Sequence, residues 1–139
     1  MGDRNMLTQL DKSNYLKGLL IVARIDNSLI DKEKDIIRNV ATKLGFSKDF
    51  YEEVIKNLMI NENISDNPLS FSSAAITEVF IDEALNLAFS DNDLSRPEVD
   101  WLRKTAEMNG ISNHRFSEIL TNFTILKQKE IASKVSASA

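Results

Sequence analysis

The 139-residue chain has no cysteine, which removes disulfide frameworks, thiolate nucleophiles and sulfur-ligated metals from consideration. Its four glycines and two prolines are too few for the many tight reversals of an all-β fold, whereas long helices need little of either. A basic surplus is also missing. The formal net charge is −4, so no overall positive field attracts phosphate backbones and no nucleic-acid partner is expected. The longest apolar run, residues 19–23, ends at Arg24 and is far too short for a membrane span. Residues 1–10 lack the basic stretch and apolar core of a secretion signal, so the expected localisation is cytoplasmic.

What is present is ordinary for a globular protein: 42% hydrophobic and 27% charged residues, in a length that suits one domain with one core. The distinctive feature is internal repetition. Residues 15–58 align without a gap on residues 80–123, 65 positions later, and 13 of the 44 pairs are identical. The identities join core, punctuation and acids: Leu20 with Leu85, Ala41 with Ala106, Gly45 with Gly110, Ser47 with Ser112, Asp26 with Asp91, and Glu33 with Glu98.

Each copy reads as three helices. In the first, Leu16, Leu19, Leu20 and Ala23 share one face, and Ile36, Ile37, Val40, Ala41 and Leu44 repeat the pattern after a polar break. Gly45 supplies the left-handed conformation that ends a helix, and Ser47 caps a third helix carrying Tyr51, Val54, Ile55 and Leu58. The second copy repeats this order. There Ser95-Arg96-Pro97-Glu98 is a capping box, and Pro97, tolerated only in a first turn, fixes the start of the middle helix near Arg96. The expected fold is all-α, with six to seven helices: tandem duplicated three-helix units packed about a pseudo-twofold axis in a single domain over 1–139. Repeat one is 15–58, the connector 59–79, repeat two 80–123, and residues 133–139 form a patternless, flexible tail.

The repeated polar element is the loop between the first and second helices of each copy. Asp26 and Asp91 stand at or just past a helix C-terminus, where the macrodipole disfavours negative charge, and a hard divalent cation with oxygen ligands would offset that cost. The same residues also fit a purely structural role. Asp and Asn bond their own backbone at turns, and Glu33 and Glu98 suit the first turn of a helix. An EF-hand is excluded, because the positions that need glycine and glutamate hold Asp31 and Ile37 in the first loop, Arg96 and Leu102 in the second.

The pattern Ala-x-x-Asp-x-x-Leu-x-x-x-Glu occurs as Ala23, Asp26, Leu29 and Glu33, and again as Ala88, Asp91, Leu94 and Glu98. An apolar helix, a Gly-x-Ser and a third amphipathic helix follow each time. Over about residues 15–123 this resembles the tellurite-resistance TerB-like helical family, with Asn27 and Asn92 where that family has glycine. The resemblance implies a non-enzymatic binding module of a bacterial stress-response system, cytoplasmic or part of a membrane-associated complex. It also implies a divalent metal ion (Ca, Mg, Mn or Zn) on Asp26, Glu33, Asp91 and Glu98, and a protein partner. The alternative is a metal-free protein–protein adaptor that receives a partner helix in an apolar groove between the copies.

Other candidates are bland. His114, the single histidine, follows the cap Ser112 and has no catalytic company. Trp101 reads as packing within or between copies. Asp49, Glu52 and Glu53 read as a solvated face, and Lys127, Lys129 and Lys134 make a poor lipid-binding signal beside Glu130.

Overall fold

Serine or threonine opens several of the helices. In the computed structural model, which describes residues 7–25, 31–60, 66–91 and 94–138 with side chains at 58–60, 91 and 136–138 outside that description, the helices are α1 Gln9–Ile25, α2 Asp31–Lys43, α3 Lys48–Ile60, α4 Ala74–Ala88, α5 Arg96–Met108 and α6 Asn113–Ser138. A short 3-10 turn, Phe89–Asp91, extends α4. The described residues contain no strand, and none of their helices is long and apolar enough to cross a membrane.

The starts and stops follow from side-chain chemistry. Ser95 Oγ accepts from Glu98 N–H at 3.2 Å while Glu98 Oε1 accepts from Ser95 N–H at 3.1 Å, the reciprocal capping box expected from the sequence. Ser47 and Ser112 each accept the amide three residues on, Phe50 at 3.2 Å and Arg115 at 3.0 Å. Gly45 (φ 92°) and Gly110 (φ 82°) end α2 and α5 in the left-handed region. Phe46 N–H then reaches back to the Ala41 carbonyl, as Ile111 N–H does to Ala106, which satisfies carbonyls the helix end would otherwise leave open.

Three boundaries differ from the sequence reading. Helix α1 begins at Gln9, because Thr8 and Asp11 form a second capping box: Thr8 Oγ1 accepts from Asp11 N–H at 3.0 Å and Asp11 Oδ2 from Thr8 N–H at 3.1 Å. Helix α4 begins at Ala74, inside the stretch assigned to the connector, because Ser73 Oγ accepts from Ile76 N–H at 3.2 Å. Helix α6 runs to Ser138, so residues 133–138 are helical where a patternless tail was expected; no glycine or proline follows Gly110 to stop it.

Helices α1 and α4 form the centre. Residues 18–23 of α1 are all buried, and Phe80, Ile81, Ala84, Leu85 and Leu87 of α4 are fully enclosed. Helices α2 and α3 pack on α1, and α5 and α6 pack on α4, with α1 also touching α5 and α2 touching α4. An aromatic group joins the halves: the Phe80 ring lies 5.4 Å from Tyr15, 5.0 Å from Phe71 and 6.2 Å from Trp101. Gly18 makes the close approach possible, since a β-carbon there would sit 2.6 Å from Phe80 Cε1. Trp101 is buried as expected, its indole N–H donating to the Asp66 carbonyl at 2.6 Å.

Candidate functional site

Glu33 and Glu98 are the third residues of α2 and α5, and both are buried, at 4% and 1% exposure. Their burial at matched positions follows from the repeat. Glu98 spends Oε1 on the Ser95 amide, a helix-capping role. Asp26 lies outside the described residues, and Asp91 closes the 3-10 turn with its side chain outside the description. Among the described residues no three His, Cys, Asp or Glu side chains gather into a metal-holding group.

An apolar concavity lies elsewhere. A groove of about 330 Å³ opens between α1, α2 and α4, lined by Tyr15, Val40, Leu44, Ala75, Ile76 and Val79. Lys43 of α2 and Glu83 of α4 stand at it as its charged groups. Its walls are apolar because three core-facing stripes run out to the surface there; Val79 is 60% exposed. Burial, followed by the negative charges of Glu83 and Asp82, pushes the Tyr15 phenol above its ordinary range, so it stays protonated at any physiological pH.

The opposite half carries different chemistry at the matched positions. Shifting the groove's residues by 65 positions leads to Phe80, Met108, Asn109, Asp11 and Asn14, and these hold the connector. Asn109 Nδ2 donates to the Leu69 carbonyl and Asn109 Oδ1 accepts from Phe71 N–H, both at 2.7 Å. Asn14 Nδ2 donates to the Ser70 carbonyl at 2.9 Å. Asp11 accepts from the Ser72 amide at 2.9 Å and the Ser72 hydroxyl at 2.6 Å. Residues 69–72 have no regular secondary structure, so their backbone groups need these side chains.

Every polar clamp of that arrangement is apolar in the groove: Leu44 stands for Asn109, Ile76 for Asp11 and Val79 for Asn14. One half holds its own chain, and the other presents an apolar surface that Leu7, the residue matched to Ser72, also lines. Sequence reading put Leu44 in the core and missed Ile76 and Val79. The visible signal was the polar-to-apolar exchange at matched positions, but the 11/76 and 14/79 pairs lie outside the stretch with recognisable identity.

A second, polar face runs between α4 and α6. Arg115 binds Glu78 in two places, Nε to Oε2 at 3.0 Å and Nη2 to Oε1 at 2.8 Å, and this pairing holds the Glu78 carboxyl below its ordinary range. Next to it, burial and then the Glu78 charge raise the Asp82 carboxyl. Glu52, read from sequence as part of a solvated face, instead pairs with Arg38 in two places at 2.7 and 3.1 Å and ties α3 to α2. His114 is exposed.

Comparison with family models, with curated proteins and with solved structures gave no match to this chain.

Proposed function

We propose that this chain is a non-enzymatic, TerB-like helical binding module, its two units packed about a pseudo-twofold axis, that docks a partner's amphipathic helix in the groove between α1, α2 and α4. The observation that carries this reading is the replacement of Asn109, Asp11 and Asn14 by Leu44, Ile76 and Val79 at matched positions. An extended segment laid on Leu44, Ile76 and Val79 would bury backbone N–H and C=O groups with nothing to bond them, at about 1–3 kcal/mol each. A helix satisfies its own backbone and needs only apolar side chains in the groove. The contact between the matched rings of Tyr15 and Phe80 supports the pseudo-twofold packing, since matched residues meet only near such an axis.

The test is an NMR titration of the ¹⁵N-labelled chain with a synthetic amphipathic Leu/Lys helix. Shifts confined to α1, α2 and α4 around Val40, Leu44 and Val79, lost in Val79→Glu, are the expected result. Absence of shifts at saturating peptide, or shifts that Val79→Glu leaves in place, would overturn it.

A second reading keeps the paired acidic loops as a site for Ca²⁺, Mg²⁺, Mn²⁺ or Zn²⁺ through Asp26, Glu33, Asp91 and Glu98. It draws support from the burial of both glutamates beside the acidic turns. Calorimetric titration of metal-free protein, repeated on the double variant Asp26→Asn with Asp91→Asn, checks it; no heat with any of the four ions removes it.

A further inference from the structure

The side chains that hold the connector have counterparts 65 positions away, and so does the segment they hold. Residues 69–72 answer to residues 4–7: Leu69 to Arg4, Ser70 to Asn5, Phe71 to Met6 and Ser72 to Leu7. Thr8 and Ser73, also a matched pair, cap α1 and α4 by accepting the amide three residues on, Asp11 at 3.0 Å and Ile76 at 3.2 Å. Both helices are thus entered through the same capping bond. Just before that bond, Ser72 lies against Asp11 in one half and Leu7, half-buried, lines the groove in the other. Residues 1–6 are outside the described residues.

Three contacts of the connector change chemistry on both sides at once. Ser72 on Asp11 is polar on polar, and the matched pair, Leu7 and Ile76, is apolar on apolar. Phe71 packs on Phe80 with ring centres 5.0 Å apart; the counterparts are Met6 and the Tyr15 of the groove, and a methionine sulfur suits an aromatic ring. Leu69 Cδ1 lies 3.4 Å from where a β-carbon on Gly18 would stand, and the matched pair there is Arg4 with Glu83, opposite charges. Glu83 is the carboxylate at the groove. The backbone clamp alone does not carry over. Leu44 and Val79 stand where Asn109 and Asn14 bond the backbone of Leu69, Phe71 and Ser70.

We propose that Arg4, Met6 and Leu7 occupy the groove of their own chain, with Met6 on Tyr15, Leu7 on Ile76 and Arg4 at Glu83, as a weak internal competitor for the helix. Complementary side chains give the segment its place. The missing clamp keeps its hold weak, because its backbone groups gain no partners in exchange for water. Being tethered, it still acts at an effective concentration on the order of millimolar. A partner helix, which brings its own backbone bonds, displaces it. As competition the inference rests on the reading of the groove as a helix acceptor; as occupancy it does not.

NMR on the full chain with ¹³C-labelled methionine methyl groups tests it. The Met6 methyl, assigned through Met6→Leu, is expected to show nuclear Overhauser contacts to the Tyr15 ring and the Val79 methyl groups, weakened in Arg4→Glu. The synthetic Leu/Lys helix should bind Met6→Ser more tightly than the wild type by about threefold, the factor for a groove that is covered about two-thirds of the time. Serine is neutral, so the gain cannot come from attracting the lysines of the peptide, and amide spectra check that each variant stays folded. Absence of the Met6 contacts, contacts that Arg4→Glu leaves at full strength, or equal measurable affinity of the wild type and Met6→Ser for the helix overturns the proposal. The two readings fail separately. Helix binding without the Met6 contacts removes the internal occupant alone, whereas Met6 contacts with no helix binding by either chain keep the occupant and remove the docking reading.

Discussion

In the first half, Gly45 ends α2 and Ser47 opens α3; in the second, Gly110 ends α5 and Ser112 opens α6, with the same hydrogen bonds at both places. The halves part company at Asp11 against Ile76, Asn14 against Val79, and Asn109 against Leu44. Backbone punctuation is set by helix geometry, which the two copies share. Surface chemistry differs between them: among the described residues, 69–72 are hydrogen-bonded to Asp11, Asn14 and Asn109, and Leu44, Ile76 and Val79 line an apolar groove. The matched positions therefore agree in how the chain turns and differ in what their faces carry.

The largest test of this contrast is at the shared centre. Phe80→Ala, which empties a fully enclosed site between the halves, should cost about 3–5 kcal/mol in urea unfolding. Its matched residue Tyr15 reaches the Val79 carbonyl only at 3.5 Å, so Tyr15→Phe should cost under about 1 kcal/mol.

Next comes the clamp. Asp11→Ala strips a carboxylate, 2% exposed, from Ser72 and Thr8 and should cost about 2–4 kcal/mol. Burial alone would raise this carboxyl, but the Ser72 hydroxyl and the Thr8 and Ser72 amides outweigh it and hold it below its ordinary range. Its folded value is thus lower than its unfolded one. The stability it contributes is full at neutral pH and is lost as pH falls below about 4 towards the folded value. Asp11→Asn should flatten that acid limb of the stability–pH curve, whereas Ile76→Val, at the matched position, should leave its shape unchanged.

Close packing sharpens the contrast further. Gly18→Ala drives a methyl group into the Phe80 ring, which is pinned by three other aromatics, and should cost about 1–3 kcal/mol. The matched Glu83→Ala should change stability by no more than about 0.5 kcal/mol. Where the copies agree, the effects should agree as well. Gly45→Ala and Gly110→Ala meet no atom within 4 Å, so each should cost only the left-handed backbone penalty of about 1–2 kcal/mol, and the two values should match. A large difference between them would mean that the two helix ends are not equivalent.

Much of the architecture was legible in the residues. The period of 65, the glycines, and Ser95 with Pro97 and Glu98 place α2 and α5 at the same register, Asp31–Lys43 and Arg96–Met108. The start of α1 was less visible, because its capping box, Thr8 with Asp11, uses aspartate where glutamate is the usual partner and precedes any identity between the copies. An apolar groove between the copies was expected, but not which residues line it. Leu44, Ile76 and Val79 are separated by up to 35 positions, and each alone is an apolar residue on a helix with nothing to set it apart from the core.

The sequence by itself determined that the chain is helical, where its middle helices start and stop, and which residues of one copy answer to those of the other. These properties depend on neighbours within a few positions, through capping, glycine conformation and apolar period. Only the tertiary structure decided that residues 69–72 lie against Asp11, Asn14 and Asn109, and that the matched Ile76, Val79 and Leu44 come together in one apolar groove. Which of two similar faces a segment settles on depends on long-range hydrogen bonds, and those exist only once α1, α4 and α5 have come together.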